Sequence, residues 1–149
     1  MNDLLEARFA GPNSPTNMQL GYFFMRVMLG GQLFFHGFMR FLTGLGAWVE
    51  STMALYEGTY LPEPFLNITL HLIPLAELII GALVLLGWFT RWAILASVTL
   101  FVVLLYGHTV RQNWSIGHVV VHYGIYYWIM FVFIRYNWLA LDNLKARQA

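Results

Sequence analysis

The chain has 149 residues, of which 59% are hydrophobic and only 10% charged, and its mean hydropathy is +0.62. That is too little charge to cover the surface of a water-soluble domain. The net charge of +1, from Lys+Arg 8 against Asp+Glu 7, offers no basic stripe for nucleic acid. With Cys 0, disulfides, thiolate metal sites, iron–sulfur clusters and cysteine nucleophiles are excluded. Any metal or haem would fall to the histidines, carboxylates or methionines. The composition is that of an integral membrane protein.

Residues 1–19 are polar, with Pro12, Ser14 and Pro15, and lack the basic start and small-residue cleavage site of a signal peptide. Four stretches then approach the about 20 apolar residues that a helix needs to cross the hydrocarbon. They run over about 20–42, 66–89, 92–110 and 116–136. The first is interrupted only by Arg26 and Arg40, the second contains His71 and Glu77, and the fourth carries His118 and His122. No ten-residue alternation of a membrane barrel is present, and lipid leaves backbone groups to be satisfied internally. The expected fold is therefore all-α, a membrane-embedded four-helix bundle.

The connection 43–65, with Glu50, Glu57, Glu63, Pro62 and Pro64, reads as a wet surface loop. The turns 87–91 and 111–115 are so short that the helices they join must be antiparallel neighbours. Residues 137–149 read as a polar tail, with a short interfacial helix expected. Four spans put both termini on one side, with Arg8, Arg91, Arg135, Lys145 and Arg147, and Arg26 nearer to it. The opposite side holds Arg40, Arg111 and the three loop glutamates, so the terminal side is expected to be cytoplasmic.

This layout places all five histidines, His36, His71, His108, His118 and His122, in the outer leaflet, within about two helical turns of the interface. The plain reading is that interfacial depth tolerates histidine as it tolerates Trp and Tyr. Because ionisable groups inside membranes are rare and usually functional, three sharper readings stand beside it. A quinone headgroup needs hydrogen-bond donors for two carbonyls and a flat, aromatic pocket. Imidazoles supply donors and proton exchange, and Tyr123, Tyr126, Tyr127 and Trp128 follow His122. A metal is the second reading. His118 and His122 share a face at i, i+4, but Val119-Val120-Val121 supplies no zincin glutamate; His36, His71 or His108 would complete a copper or zinc site. The third is bis-histidine haem, for which His71 and His122 lie at matched depth. All three rest on the expectation that imidazoles from the four spans gather around one cavity.

Arg26 and Glu77 form the second constellation. A lone charge at this depth costs about 2.5–3.5 kcal/mol, so a pair across the first two spans is expected. Its role is either to fix which helices are neighbours, or to let the carboxylate take up a proton or anchor a polar headgroup. Gly30 and Gly37, seven apart, lie on nearly one face, close to Arg26, Leu33 and Arg40. They allow close backbone approach, with Gly81 as a counterpart on the second span, while Pro74 near His71 can kink that helix.

Several of these residues resemble a known family. Arg26, Gly30, His36-Gly37 and Arg40 look like the opening pattern of DoxX-like membrane proteins. Pro74, Glu77, Gly81, Leu86-Gly87, Thr90-Arg91 and Ala93 look like its second signature, and Leu141-Asp142 is similar to its closing segment. Arg40 stands where the family often has Lys, and His118 and His122 lie outside the pattern. The resemblance implies a four-helix bundle in the bacterial cytoplasmic membrane, with Arg26, His36, Glu77 and Arg91 as candidate site residues. The DoxD and DoxA components of thiosulfate:quinone oxidoreductase, relatives in that family, imply electron transfer into a quinone pool.

Two classes of function follow. In one, the chain is the quinone-facing membrane subunit of an oxidoreductase, with Glu77 and His122 as catalytic candidates. Quinone, or another cofactor, would then be held by His36, His71, His118, His122, Tyr126 and Arg26. The electron donor would be carried by another polypeptide, since the chain has no nucleotide-binding loop. In the other, it is a non-catalytic accessory subunit that scaffolds a larger membrane complex among lipid.

Overall fold

The computed structural model describes residues 2–8, 11 and 13–146. Their regular structure is helical, apart from one isolated bridge between Arg8 and Thr16. The elements are α1 (Asn2–Leu5), α2 (Asn17–Thr43), α3 (Leu45–Ala54), α4 (Glu63–Leu86), α5 (Thr90–Val110), α6 (Trp114–Val132), a single 3-10 turn (Ile134–Tyr136) and α7 (Leu141–Ala146). Of these, α4, α5 and α6 are long and apolar enough to cross a membrane. Helix α2 has the length, 27 residues, but carries Arg26 and Arg40. Arg147 and the last two residues lie outside the described residues.

Local chemistry sets the helix ends. At the start of α2 the Thr16 hydroxyl accepts from Gln19 N (3.2 Å), while Gln19 Oε1 accepts from Thr16 N (2.9 Å), a reciprocal capping box. Pro62 and Pro64, read from sequence as loop residues, instead open α4. A proline in a helix's first turn forfeits an N–H that has no partner there in any case. Gly87 ends α4 in the left-handed conformation, φ 66°, the usual glycine stop. Helix α3 lies within the segment expected to be a loop. It buries Val49 and packs Leu45, Trp48 and Met53 on the core.

The four long helices pack side by side in the spatial order α2–α4–α5–α6, and α2 meets α6 only slightly. The tightest contact is α2 on α4, and glycines set it. A Cβ on Gly30 would sit 2.6 Å from the backbone N of Leu85; one on Gly37 would strike Pro74 O, and one on Gly81 the backbone of Phe34. Small residues thus hold two antiparallel backbones at contact distance. Gly30 faces Leu85, Phe34 faces Gly81 and Gly37 faces Leu78, which fixes the register along the whole pair.

At the end carrying the termini, α7 clamps the α4–α5 turn. Asp142 accepts from Phe89 N (2.8 Å) and Thr90 N (2.9 Å), and its own N–H donates to Gly87 O (3.0 Å). Asp142 therefore caps the N-terminus of α5 from a distant point in the chain, placing a carboxylate at the positive end of the helix dipole. Asn137 Nδ2 donates to Thr90 Oγ1 (3.0 Å), and Arg26 reaches the same layer from α2.

Substituting Gly37→Val is expected to destabilise the protein by about 1–3 kcal/mol, the usual cost of overpacking. Gly21→Ala, whose added methyl would meet nothing within 4 Å, should leave stability unchanged. Thermal unfolding of both variants in detergent checks this.

Candidate functional site

At the α3 end of the molecule, α2, α4, α5 and α6 surround a cavity of about 520 Å³. His36 and Arg40 come from α2, Glu77 from α4, His108 from α5 and Arg111 from the α5–α6 turn. Phe101 and Tyr123 supply an aromatic wall, their rings stacked at 5.6 Å and 17°. A second space of about 290 Å³ lies beneath α3 and shares Arg40, His108 and Arg111 with the first. The cationic side chains thus form a partition between two chambers with largely apolar walls.

Glu77 is 2% exposed, and it is salt-bridged to Arg40, not to Arg26 as the sequence suggested. The glycine-set register explains the correction. Glu77 lies level with Gly37, three residues or about 4.5 Å of rise from Arg40 but eleven residues or about 16 Å from Arg26. Arg26 falls opposite Gly87 instead. It is fully buried and donates to Leu139 O (2.8 Å), a carbonyl presented by a left-handed residue, φ 49°. A Cβ at residue 87 would collide with Arg26 Nη1, so Gly87 both stops α4 and makes room for the guanidinium. Arg26, a cofactor-binding candidate from sequence, does not line this cavity and lies in the layer of the α4–α5 turn and the C-terminal segment.

Arg40 is held on two sides. Its guanidinium pairs with Glu77 and lies over the Trp48 ring at 4.3 Å, a cation–π distance. Arg111 lies 5.2 Å from the Tyr56 ring, and no described residue offers it a salt bridge. The pair of charges on Arg40 and Glu77 cancels, so the cavity keeps the positive charge of Arg111. His108 Nδ1 is buried without a hydrogen-bond partner, although buried polar atoms are ordinarily paired.

The five histidines do not share one cavity. His36 and His108 line the central one; His71 opens instead onto a cleft of about 640 Å³ on the outer side of α3, near Glu50, Glu57 and Glu63. His118 and His122 are exposed on α6. His71 and His122, the pair considered for haem, are therefore not brought to a common space. Nor do His118 and His122 find a third ligand, since no group of three His, Cys, Asp or Glu able to hold a metal exists among the described residues. The reason is rotational: sequence sets a residue's depth, but helix packing sets its azimuth.

The Nδ1 atoms of His36, His71 and His122 lie 2.9, 2.9 and 2.7 Å from the carbonyl four residues earlier. A carbonyl can only accept, so Nδ1 carries the hydrogen and the neutral ring presents Nε2 as a lone pair. His36 thus offers the cavity a base, whereas Arg40 and Arg111 offer donors. Tyr126 lies outside the cavity, in a groove between α2 and α6. Arg91 is on the opposite end, 5.6 Å from the Phe131 ring. Sequence reading passed over Arg40 as a partner for Glu77 and used Arg111 only to set orientation. The available signal was that Arg40 lies on the same glycine face of its helix as Arg26.

Removing the carboxylate should leave the Arg40 cation without its partner. Breaking a buried pair costs about 3–5 kcal/mol. Arg40 keeps 21% side-chain exposure, so Glu77→Ala should fall at or below the lower end of that range. The double variant Glu77→Ala with Arg40→Met should recover much of the loss, read as the midpoint of thermal unfolding.

The DoxX family model matches residues 21–109. That stretch covers α2 to α5 almost completely, including Arg40, Glu77 and His108. No curated protein and no solved structure matches the chain. Because the match extends over more than half of the chain, and three of its helices can cross a membrane, this is a membrane protein belonging to the DoxX family.

Proposed function

We propose that this chain is the quinone-binding membrane subunit of an oxidoreductase, seated by its four long helices in a bacterial cytoplasmic membrane with both termini in the cytoplasm. The observation that carries the reading is the central cavity, where unspent donors, a base and an aromatic wall meet beside the Arg40–Glu77 pair. Its volume falls within the about 300–1,000 Å³ usual for small-molecule sites. When bound, a quinone supplies two carbonyl acceptors and a redox change coupled to protons. The residues match that chemistry. Arg40 and Arg111 hold N–H groups for the carbonyl oxygens, and the orphaned His108 Nδ1 is a further partner. His36 Nε2 would take up or return a proton as electrons leave or enter the ring, the electrons being exchanged with the separate donor. Glu77 holds Arg40 in place. These helices carry no flavin fingerprint and no cysteine ligand for a cluster, so the electrons reach the ring from outside them.

Orientation is supported by where the exposed cations lie. Arg40 and Arg111 are half-buried at the cavity, beside the three glutamates of the α3 end, while Arg8, Arg91 and Arg135 lie exposed at the other end. That asymmetry is the pattern of a cytoplasmic face at the termini.

Two measurements test these statements. With no cysteine in the sequence, single-cysteine variants report topology directly. In intact spheroplasts, Glu57→Cys should react with a membrane-impermeant maleimide and Asn13→Cys only after permeabilisation; the reverse pattern overturns the orientation. For the site, purified protein in nanodiscs should bind a quinone saturably. Arg111→Gln and His108→Phe should each weaken binding about tenfold, about 1.4 kcal/mol, in keeping with a lost hydrogen bond to a charged or buried group. His118→Ala and His122→Ala should bind as the parent does. Absence of saturable binding by the parent protein sinks the assignment.

A further inference from the structure

Beside the cavity runs a groove of about 650 Å³ between α2 and α6, the two helices that scarcely touch. Gln32 and Tyr123 line both spaces, so the two adjoin at these side chains. On α2 one stripe passes from Gly21 through Met25, Met28 and Leu29 to Gln32, and continues as His36 and Arg40 into the cavity. These positions recur every three or four residues, the spacing of a single helix face. The facing stripe on α6 runs from Ile116 through Val120 and Tyr123 to Tyr126. From Gln32 to Gly21 the groove extends about 16 Å along the helix. Met28 is 72% exposed, so the groove lies open along its side. Deeper between the same helices, Tyr127 is fully buried and donates to Leu29 O (3.0 Å), which ties α2 to α6 although their contact is slight.

From this adjacency, with Gln32 and Tyr123 as the shared threshold, we infer that the groove is a lane for the isoprenoid chain of a tailed quinone, and that the quinone enters the cavity sideways from the bilayer between α2 and α6. The inference rests on the headgroup assignment above and adds to it the substrate class and the route. The chemistry of the walls changes where the lane begins: charged and ring-nitrogen groups on the cavity side, methionine, leucine and phenylalanine on the other. An amphiphile with an oxygen-bearing ring and a long apolar tail presents the same division along its length. Because lipid chains are as apolar as leucine, the lane supplies little hydrophobic gain over the bilayer. It acts sterically, giving the tail a path out of the cavity so that the ring can reach Arg40 and His108.

The experiment compares the parent protein with Met28→Trp and Gly21→Trp in nanodiscs, titrated with the same quinone ring with and without a polyisoprenoid chain. A Cβ at Gly21 meets nothing within 4 Å and Met28 is largely exposed, so neither position is closely packed to begin with. Comparing each variant with its parent removes the contribution of tail partitioning into the bilayer. Met28→Trp should weaken the tailed quinone about tenfold while leaving the tail-less ring within about twofold, and Gly21→Trp should act in the same direction. Retained binding of the tail-less ring also shows that the variant is folded. If neither variant distinguishes the two ligands, the lane is wrong while the headgroup site stands. If the parent protein binds neither ligand, both fall together.

Discussion

Gly30, Gly37 and Gly81 bring the backbones of α2 and α4 into contact, and a helix pair locked at that distance can neither slide nor roll. The register therefore decides which groups Arg26, Arg40 and Glu77 can each reach. Arg40 meets the carboxylate of Glu77 because Gly37 lies one turn away and level with it. Arg26 is carried to the far end of the pair, where backbone carbonyls of the C-terminal segment accept from its Nη2 while Nε and Nη1 stay buried without a partner. If the register shifted by one turn, a buried carboxylate would lose its cation and a buried guanidinium its carbonyl. In a medium where each uncompensated charge costs several kcal/mol, electrostatics and backbone contact select the same arrangement.

The two arginines of α2 show how one residue type serves opposite ends. Arg26 is enclosed by backbone: Gly87 at its flank, the carbonyl of Leu139 in front and Asp142 capping α5 close by. Every one of these groups is on a turn or a helix end, so the arginine joins α2, the α4–α5 turn and α7 into one layer. Arg40 is enclosed by side chains, the Trp48 ring and the Glu77 carboxylate, and faces two chambers. Arginine's planar fork allows one edge to pair while others remain available, and that freedom suits Arg40 to meet a ligand.

Much of the helical layout was legible because hydropathy follows from composition within a window. Helix α3 was not, for a physical reason. It is ten residues long, is flanked by Gly44 and adjoins glutamates and prolines that signal a loop, and its helicity depends on packing Val49 and Trp48 against the core. The proline pair misled similarly, since Pro62 and Pro64 mark a helix start as readily as a loop. The candidate site was legible in depth but not in direction. Five histidines at one end could be read from span boundaries; that only His36 and His108 share the central cavity depends on how each helix is rotated. Arg40 and Arg26 were equivalent in sequence, both on the glycine face of α2, and only the register separates them.

The difference between the two ends also resolves a mechanical problem. Four helices in which α2 and α6 barely touch form an incompletely closed ring, and an open seam in a bundle costs packing that must be recovered elsewhere. Here the recovery is concentrated at the terminal end. Asp142 caps α5 with two backbone hydrogen bonds, Asn137 holds Thr90, and Arg26 draws α2 onto the same layer. Cross-links placed at one end leave the opposite end free to keep space between the helices, and it is there that the cavity lies. A hollow at the α3 end is therefore compatible with a rigid fold because the closing segment of the chain, which makes no contribution to the cavity lining, fixes the helices from the other side.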